Sequence, residues 1–169
     1  MTMDARSIYI SSLRNTHALE QQGLQQMEIQ VSRLERYPDY AALLRRHIET
    51  TRQQIARLDQ ALQSVGESPS TIKETVTSVV GTVGATVHGL AQDETLKNLY
   101  AGYAFQYQQI AAYRSLVAIA EAAGETGHTA GFRQTIQEEE RAAQEVAAII
   151  EPVTRRYVEL TTSGDKADR

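Results

Sequence analysis

The chain has 169 residues, with 21 acidic against 17 basic side chains, a net charge of −4 and no cysteine. This length suits one domain, able to bury roughly two-thirds of the surface its unfolded chain exposes, and the missing cysteine excludes disulfides, thiol catalysis and thiolate metal sites. The acidic balance lacks the positive field that a nucleic-acid backbone demands, no apolar run approaches a membrane span, and the N-terminus has no signal-peptide core, so the expectation is a cytoplasmic protein with neither nucleic acid nor membrane as partner.

In chain order, the first apolar seam reads Leu13, His17, Glu20, Leu24, Met27, Val31, Leu34 and predicts a helix from about Ala5 to Glu35. It stops at Tyr37-Pro38-Asp39, because proline disfavours helical geometry in the residue before it. Asp39 is placed to cap a second helix, from about Tyr40 to Val65, which carries the stripe His47, Thr51, Gln54, Leu58 and ends at Gly66. The short connection makes these two helices antiparallel neighbours.

Ser70 to Gln92 is rich in valine, threonine and glycine and reads as a helical crossover rather than a strand, since there is no second strand for it to pair with. Asp93 is the expected cap of a third helix running to about Ala123, with the seam Leu96, Leu99, Tyr103, Gln106, Ile110, Tyr113, Val117, Ala120. Gly124, Gly127 and Gly131 mark a turn, and a fourth helix runs from about Thr129 to Leu160 along Phe132, Ile136, Glu139, Ala143, Val146, Ile150, Val153, Tyr157, Leu160. Residues 5–162 form the expected domain, and residues 163–169 read as a disordered polar tail.

Two hairpins of long helices joined by a long connection predict an all-α, ferritin-like up-down four-helix bundle with a crossover between the second and third helices. Three of the seams are each interrupted by one carboxylate or carboxamide, Glu20, Gln106 or Glu139, on the same face as the core leucines and valines. Such groups are expensive to bury unless paired or bound to a metal, so they predict a polar layer inside the bundle. Counting from the Pro38 turn puts Gln54 level with Glu20; Gln106 and Glu139 are level only if their turn centres near Ala122 or Ala123. In Glu138-Glu139-Glu140 at most one side chain points inward, and His88 and His128, flanked by glycines, read as exposed.

His47 to Asp59 resembles the second-helix signature of the YciE/YciF-type ferritin-like stress proteins. Ala18-Leu19-Glu20-Gln21-Gln22 is similar to their first metal-ligand segment, Gln106 to Tyr113 to their third-helix motif, and Thr135 to Glu140 to their fourth. The resemblance implies a di-metal ligand set at Glu20, Glu49, Gln106, Gln109 and Glu139, but with glutamines where the family has glutamates and Ala143 where it has an aspartate. His17 and His47 are further candidate ligands by residue type, although a helix histidine near an apolar seam is more often a hydrogen-bonded packing residue.

A dinuclear site needs several anionic oxygens, and amides are neutral. The reading that follows is a non-catalytic or weakly metal-binding, stress-associated protein with a vestigial di-metal centre, holding no cofactor or a partial complement of iron, manganese or zinc. The alternatives are a di-iron or di-manganese oxidase or peroxidase using Glu20, Glu49 and Glu139, and a helical protein-interaction module. An apolar, glycine-containing crossover should leave a patch to bury, and a two-fold homodimer is the commonest way to bury it.

Overall fold

The structure, a computed structural model, describes residues 4–68 and 93–168; the crossover reading of residues 70–92 and the placement of His88 fall outside them. Among the described residues there are four long helices: α1 (Ala5–Val31), α2 (Pro38–Ser64), α3 (Glu94–Ala122) and α4 (Thr129–Thr162), with one 3-10 turn, Thr126–His128, before α4. None of them is long and apolar enough to cross a membrane. The fold is an all-α four-helix bundle, as expected.

The helix ends differ from expectation in instructive ways. α1 is capped by Asp4, whose Oδ1 accepts from the Ser7 N–H at 2.7 Å. It stops at Val31 rather than Glu35, and Pro38 itself opens α2, where its missing N–H is one of the unpaired donors anyway. Asp39 therefore sits in the first turn of α2 and is not its cap. At the other end Gly66 takes φ +90°, and the Glu67 N–H returns to the Leu62 carbonyl at 3.1 Å, which closes the helix. Asp93 precedes α3 but does not cap it either: its backbone is left-handed and its carboxylate accepts from the Tyr157 hydroxyl at 2.5 Å.

The first turn of α3 finds its acceptor elsewhere. The Thr95 N–H donates to Asp168 Oδ1 at 3.0 Å, and the Tyr37 hydroxyl donates to the Ala167 carbonyl at 2.8 Å. Ala167 is buried, so the tail expected to be disordered is docked through residue 168, because one buried small side chain and two long-range hydrogen bonds anchor it.

Cross-links fix the packing. Arg14 forks onto Glu67, with bonds of 2.7 and 2.6 Å, Arg6 reaches Glu125, and Arg33 pairs with Glu94. α1 is thus antiparallel to both α2 and α3, and Arg46 with Glu145 likewise sets α2 against α4. The chain leaves α2 where α1 begins and enters α3 where α1 stops, so those two points lie at opposite ends of the bundle. Two apolar clusters result, one around Leu13, Leu58, Leu116 and Phe132, the other around Leu34, Leu44, Leu99 and Leu160. No residue of the three long seams is exposed.

Candidate functional site

Between the two clusters the four helices turn polar side chains inward: Thr16, His17 and Glu20 from α1, His47, Thr51 and Gln54 from α2, Gln106 and Gln109 from α3, Thr135 and Glu139 from α4. Helical spacing explains each set, since positions three, four and seven apart share a face. Glu49 does not belong to it. Two residues beyond His47 it has turned to the far side of α2, where its carboxylate is 64% exposed and pairs with Arg52 at 3.5 Å. The implied ligand position at Glu49 is therefore corrected to a surface one.

The buried groups form two levels. At the first, the Gln109 amide donates to Glu20 Oε2 at 2.7 Å, with Glu139 and Gln54 alongside. Glu20 Oε1 and the Tyr113 hydroxyl are both buried without a hydrogen-bond partner. Burial and the neighbouring Glu139 push Glu20 up to about 8, against the relief given by the Gln109 amide, and burial pushes Glu139 up to about 7. The Tyr113 phenol is also raised by burial, with Glu20 adding to the effect. Each carboxyl thus retains its proton far above the ordinary range, because a charge here has few dipoles to solvate it.

The second level lies nearer the start of α3. His47 Nε2 is 3.1 Å from Glu145 Oε2, and its Nδ1 is 3.4 Å from Gln106 Nε2. Burial lowers the imidazole, against the pull of Glu145, so the ring is neutral with its hydrogen on the nitrogen facing the carboxylate. Nδ1 then accepts, the Gln106 amide must present its NH2 to it, and Gln106 Oε1 is left buried with no partner. Gln106 is thus level with His47 and not with Glu139, because the turn is centred beyond Ala123: Gly124 takes φ +72° and the 3-10 turn follows.

Sequence reasoning missed the most fully satisfied group. Arg57 grips Glu138 through two bonds of 2.7 and 2.8 Å and also reaches Thr135, while Gln54 and Gln134 donate to the same carboxylate. Burial acts to raise Glu138, but these donors hold it below its usual value. Glu138 as well as Glu139 therefore points inward; the spacing of Gln54 and Arg57 on one side of α2 was the available signal. His17 and His47 both bond carboxylates, His17 through Asp59 at 2.8 Å, which is the packing role.

Beside these levels is a cavity of about 620 Å³ walled by all four helices, with Met27, Leu44, Leu99 and Phe105 as apolar lining and Gln106, Gln109 and Glu139 as polar lining. Small residues keep it open: Gly23 receives the Phe105 ring so closely that an added Cβ would lie 2.5 Å from Phe105 Cε1.

The family model for a domain of unknown function, DUF892, matches residues 4–159. The chain belongs to the DUF892 family. A solved relative in shape is a protein from Xanthomonas campestris pv. campestris, whose crystal structure aligns with a TM-score of 0.77 at 26% identity over 94% of this chain and 98% of that one. Both matches run through the polar levels, so the layer sits in the body of the DUF892 domain and not in an appendage.

The donor set does not fit a dinuclear metal centre. Among the described residues no three side chains of His, Cys, Asp or Glu converge on one point, and the groups that do meet around Glu20 and Glu139 are neutral amides. Two cations would find there two buried carboxyls, Glu20 and Glu139, and a third, Glu138, that is already taken by Arg57.

Proposed function

We propose that this DUF892 chain is a non-catalytic bundle of ferritin-like type, in which an amide–carboxylate network stands where a di-metal centre once did. The observation that carries this reading is the 2.7 Å bond from Gln109 to Glu20: an amide donor occupies the carboxylate oxygen that a metal would need. The resemblance to the YciE/YciF-type stress proteins supports a stress association and a cytoplasmic setting. The oxidase or peroxidase alternative is weakened by Glu49, which lies outside the layer.

Elemental analysis of protein purified without chelator tests the reading. Clearly less than two transition-metal ions per chain is the expected result, and two tightly held ions would overturn it. A second arm restores charge with Gln106→Glu and Gln109→Glu together. The reading expects the pair to melt lower in chelator and to recover as iron, manganese or zinc is added, through linkage.

An association between two copies is part of the same proposal. From Asn98 to Tyr113 the sequence carries no charged residue, and Tyr100 and Tyr107 stand about half exposed on the outer side of α3. This uncharged face is the surface that supports a homodimer and, in place of catalysis, an interaction role. Light scattering that gave a monomer mass across the micromolar range would remove it.

A further inference from the structure

The charges that line the cavity do not all cancel. Four carboxyls line it, Glu94, Glu138, Glu139 and Glu145, together with three guanidinium groups, Arg33, Arg46 and Arg141. Glu94 is held by Arg33, Glu145 by Arg46 and His47, and both oxygens of Glu138 by Arg57. Glu139 is a buried carboxyl whose proton affinity burial pushes up to about 7. Arg141 has no such match: among the described residues it makes no ion pair, and its one hydrogen bond is a 3.4 Å contact to the Gln137 carbonyl of its own helix. The side chain is exposed, so this unpaired charge lies where the cavity meets solvent. Elsewhere the lining includes apolar surface that water can reach, from Met27, Ile29, Phe105 and Ala142, none of them fully buried. The volume lies in the range of small-molecule sites, which combine an apolar lining with a few polar groups that fix orientation.

We infer that this cavity binds a single-chain aliphatic carboxylate, with its alkyl chain against Met27, Ile29, Phe105 and Ala142 and its head on Arg141. Each part of the ligand answers a feature of the lining. A planar guanidinium offers two parallel N–H donors to a carboxylate, a match that a hydroxyl or an ammonium head cannot make. A cationic head would instead have to displace Arg33, Arg57 or Arg46 from a carboxylate that is already bonded. The alkyl chain covers apolar surface that otherwise faces water, and each methylene buried adds to the affinity. This inference goes beyond the proposed function and does not depend on metal content.

The test is titration calorimetry on the full chain at about pH 6, where Glu139 keeps its proton, with octanoate, hexanoate, octanol and octylamine as probes. Saturable one-to-one binding of octanoate is expected, about tenfold tighter than hexanoate because two more methylenes are buried. At low salt it should also bind about fivefold tighter than octanol, a modest gain because water reaches the arginine. Octylamine should bind more weakly than octanoate. Arg141→Gln should bring octanoate down to the level of octanol while leaving octanol binding in place. Arg45→Gln, at an exposed arginine of α2 outside the cavity, should leave the preference as it was. Both arginines are exposed, so neither variant threatens the fold. Ala142→Phe, which adds bulk to the α4 wall, should weaken octanoate and octanol alike. The inference is overturned if octanoate does not bind saturably, if hexanoate or octanol binds as tightly, or if octylamine binds tighter. It is equally overturned if the preference survives Arg141→Gln, if Arg45→Gln removes it as well, or if octanoate binding is unchanged in Ala142→Phe.

Discussion

Toward the start of α1, Tyr9, Leu13, Leu58, Leu62, Leu116 and Phe132 close the bundle with at most 1% of their surface exposed, whereas beyond Glu20 the same four helices stand around a cavity of about 620 Å³. The seams feeding the two regions have the same spacing, so periodicity does not distinguish them. What differs is side-chain chemistry at a few positions. In the closed region branched and aromatic groups from all four helices interdigitate, while in the open one Gly23, Ala142 and Gly102 supply little volume and the amides hold their neighbours at hydrogen-bonding distance. Dense packing supplies stability, and the open region spends some of it on polar groups and space.

Truncations on the two sides should break or confirm that contrast most strongly. Leu58→Ala, in the closed region, is expected to cost about 3–5 kcal/mol in urea denaturation, since it leaves a void that the surroundings cannot fill. Leu44→Ala, on the cavity wall, should cost no more than about half as much, because the space beside it is already open. Equal costs would show that the cavity collapses in solution.

The next effect belongs to the polar level. Gln109→Glu replaces the donor to Glu20 with a second acceptor and should cost roughly 1–3 kcal/mol at neutral pH in chelator. A variant as stable as the parent would mean that the bond to Glu20 does not hold the layer together.

A pH series isolates the same level by its proton affinity. Glu20, pushed up to about 8, and Glu139, to about 7, keep protons that the unfolded chain gives up near 4.5. Between these values the folded state binds more protons than the unfolded one, so stability falls as pH rises and is fullest below about 4.5 for these two groups. The melting temperature should therefore drop from about pH 5 to about pH 8, by roughly 2–4 °C for each kcal/mol lost. Glu20→Gln should flatten the slope, and an unchanged slope in that variant would place the titrating groups elsewhere.

The smallest effect is a control. Glu49→Gln should change stability by less than about 0.5 kcal/mol and leave metal content as it was, because an exposed pair with Arg52 contributes little. A large loss would restore Glu49 to the site.

The bundle was legible because a repeating apolar spacing of three and four residues is a long signal, averaged over many positions. The inward places of Glu20, Gln106 and Glu139 came with it. Glu49 was misplaced because a family motif was carried onto a position that lies off the stripe His47, Thr51, Gln54. Glu138 was missed because its burial depends on Arg57 from another helix, which no single-helix pattern reports. Asp39 and Asp93 have the right chemistry for caps, but Pro38 starts α2 one residue earlier and Tyr157 claims Asp93. The level of Gln106 was decided by turn geometry after Ala122, where a shift of a few residues moves a side chain by a whole helical turn.

The docked tail has a mechanical meaning. Tyr37 lies in the bend between α1 and α2, Thr95 in the opening turn of α3, and residues 165–168 follow directly from α4. One short peptide therefore stitches together the ends of all four helices at the end of the molecule where the bend at Tyr37 joins α1 to α2. It acts as a fourth-side staple made of two hydrogen bonds and a methyl group. Proteolytic trimming after Ser163 should loosen that end first, seen as faster amide exchange at Thr95, while the closed region around Leu58 stays protected.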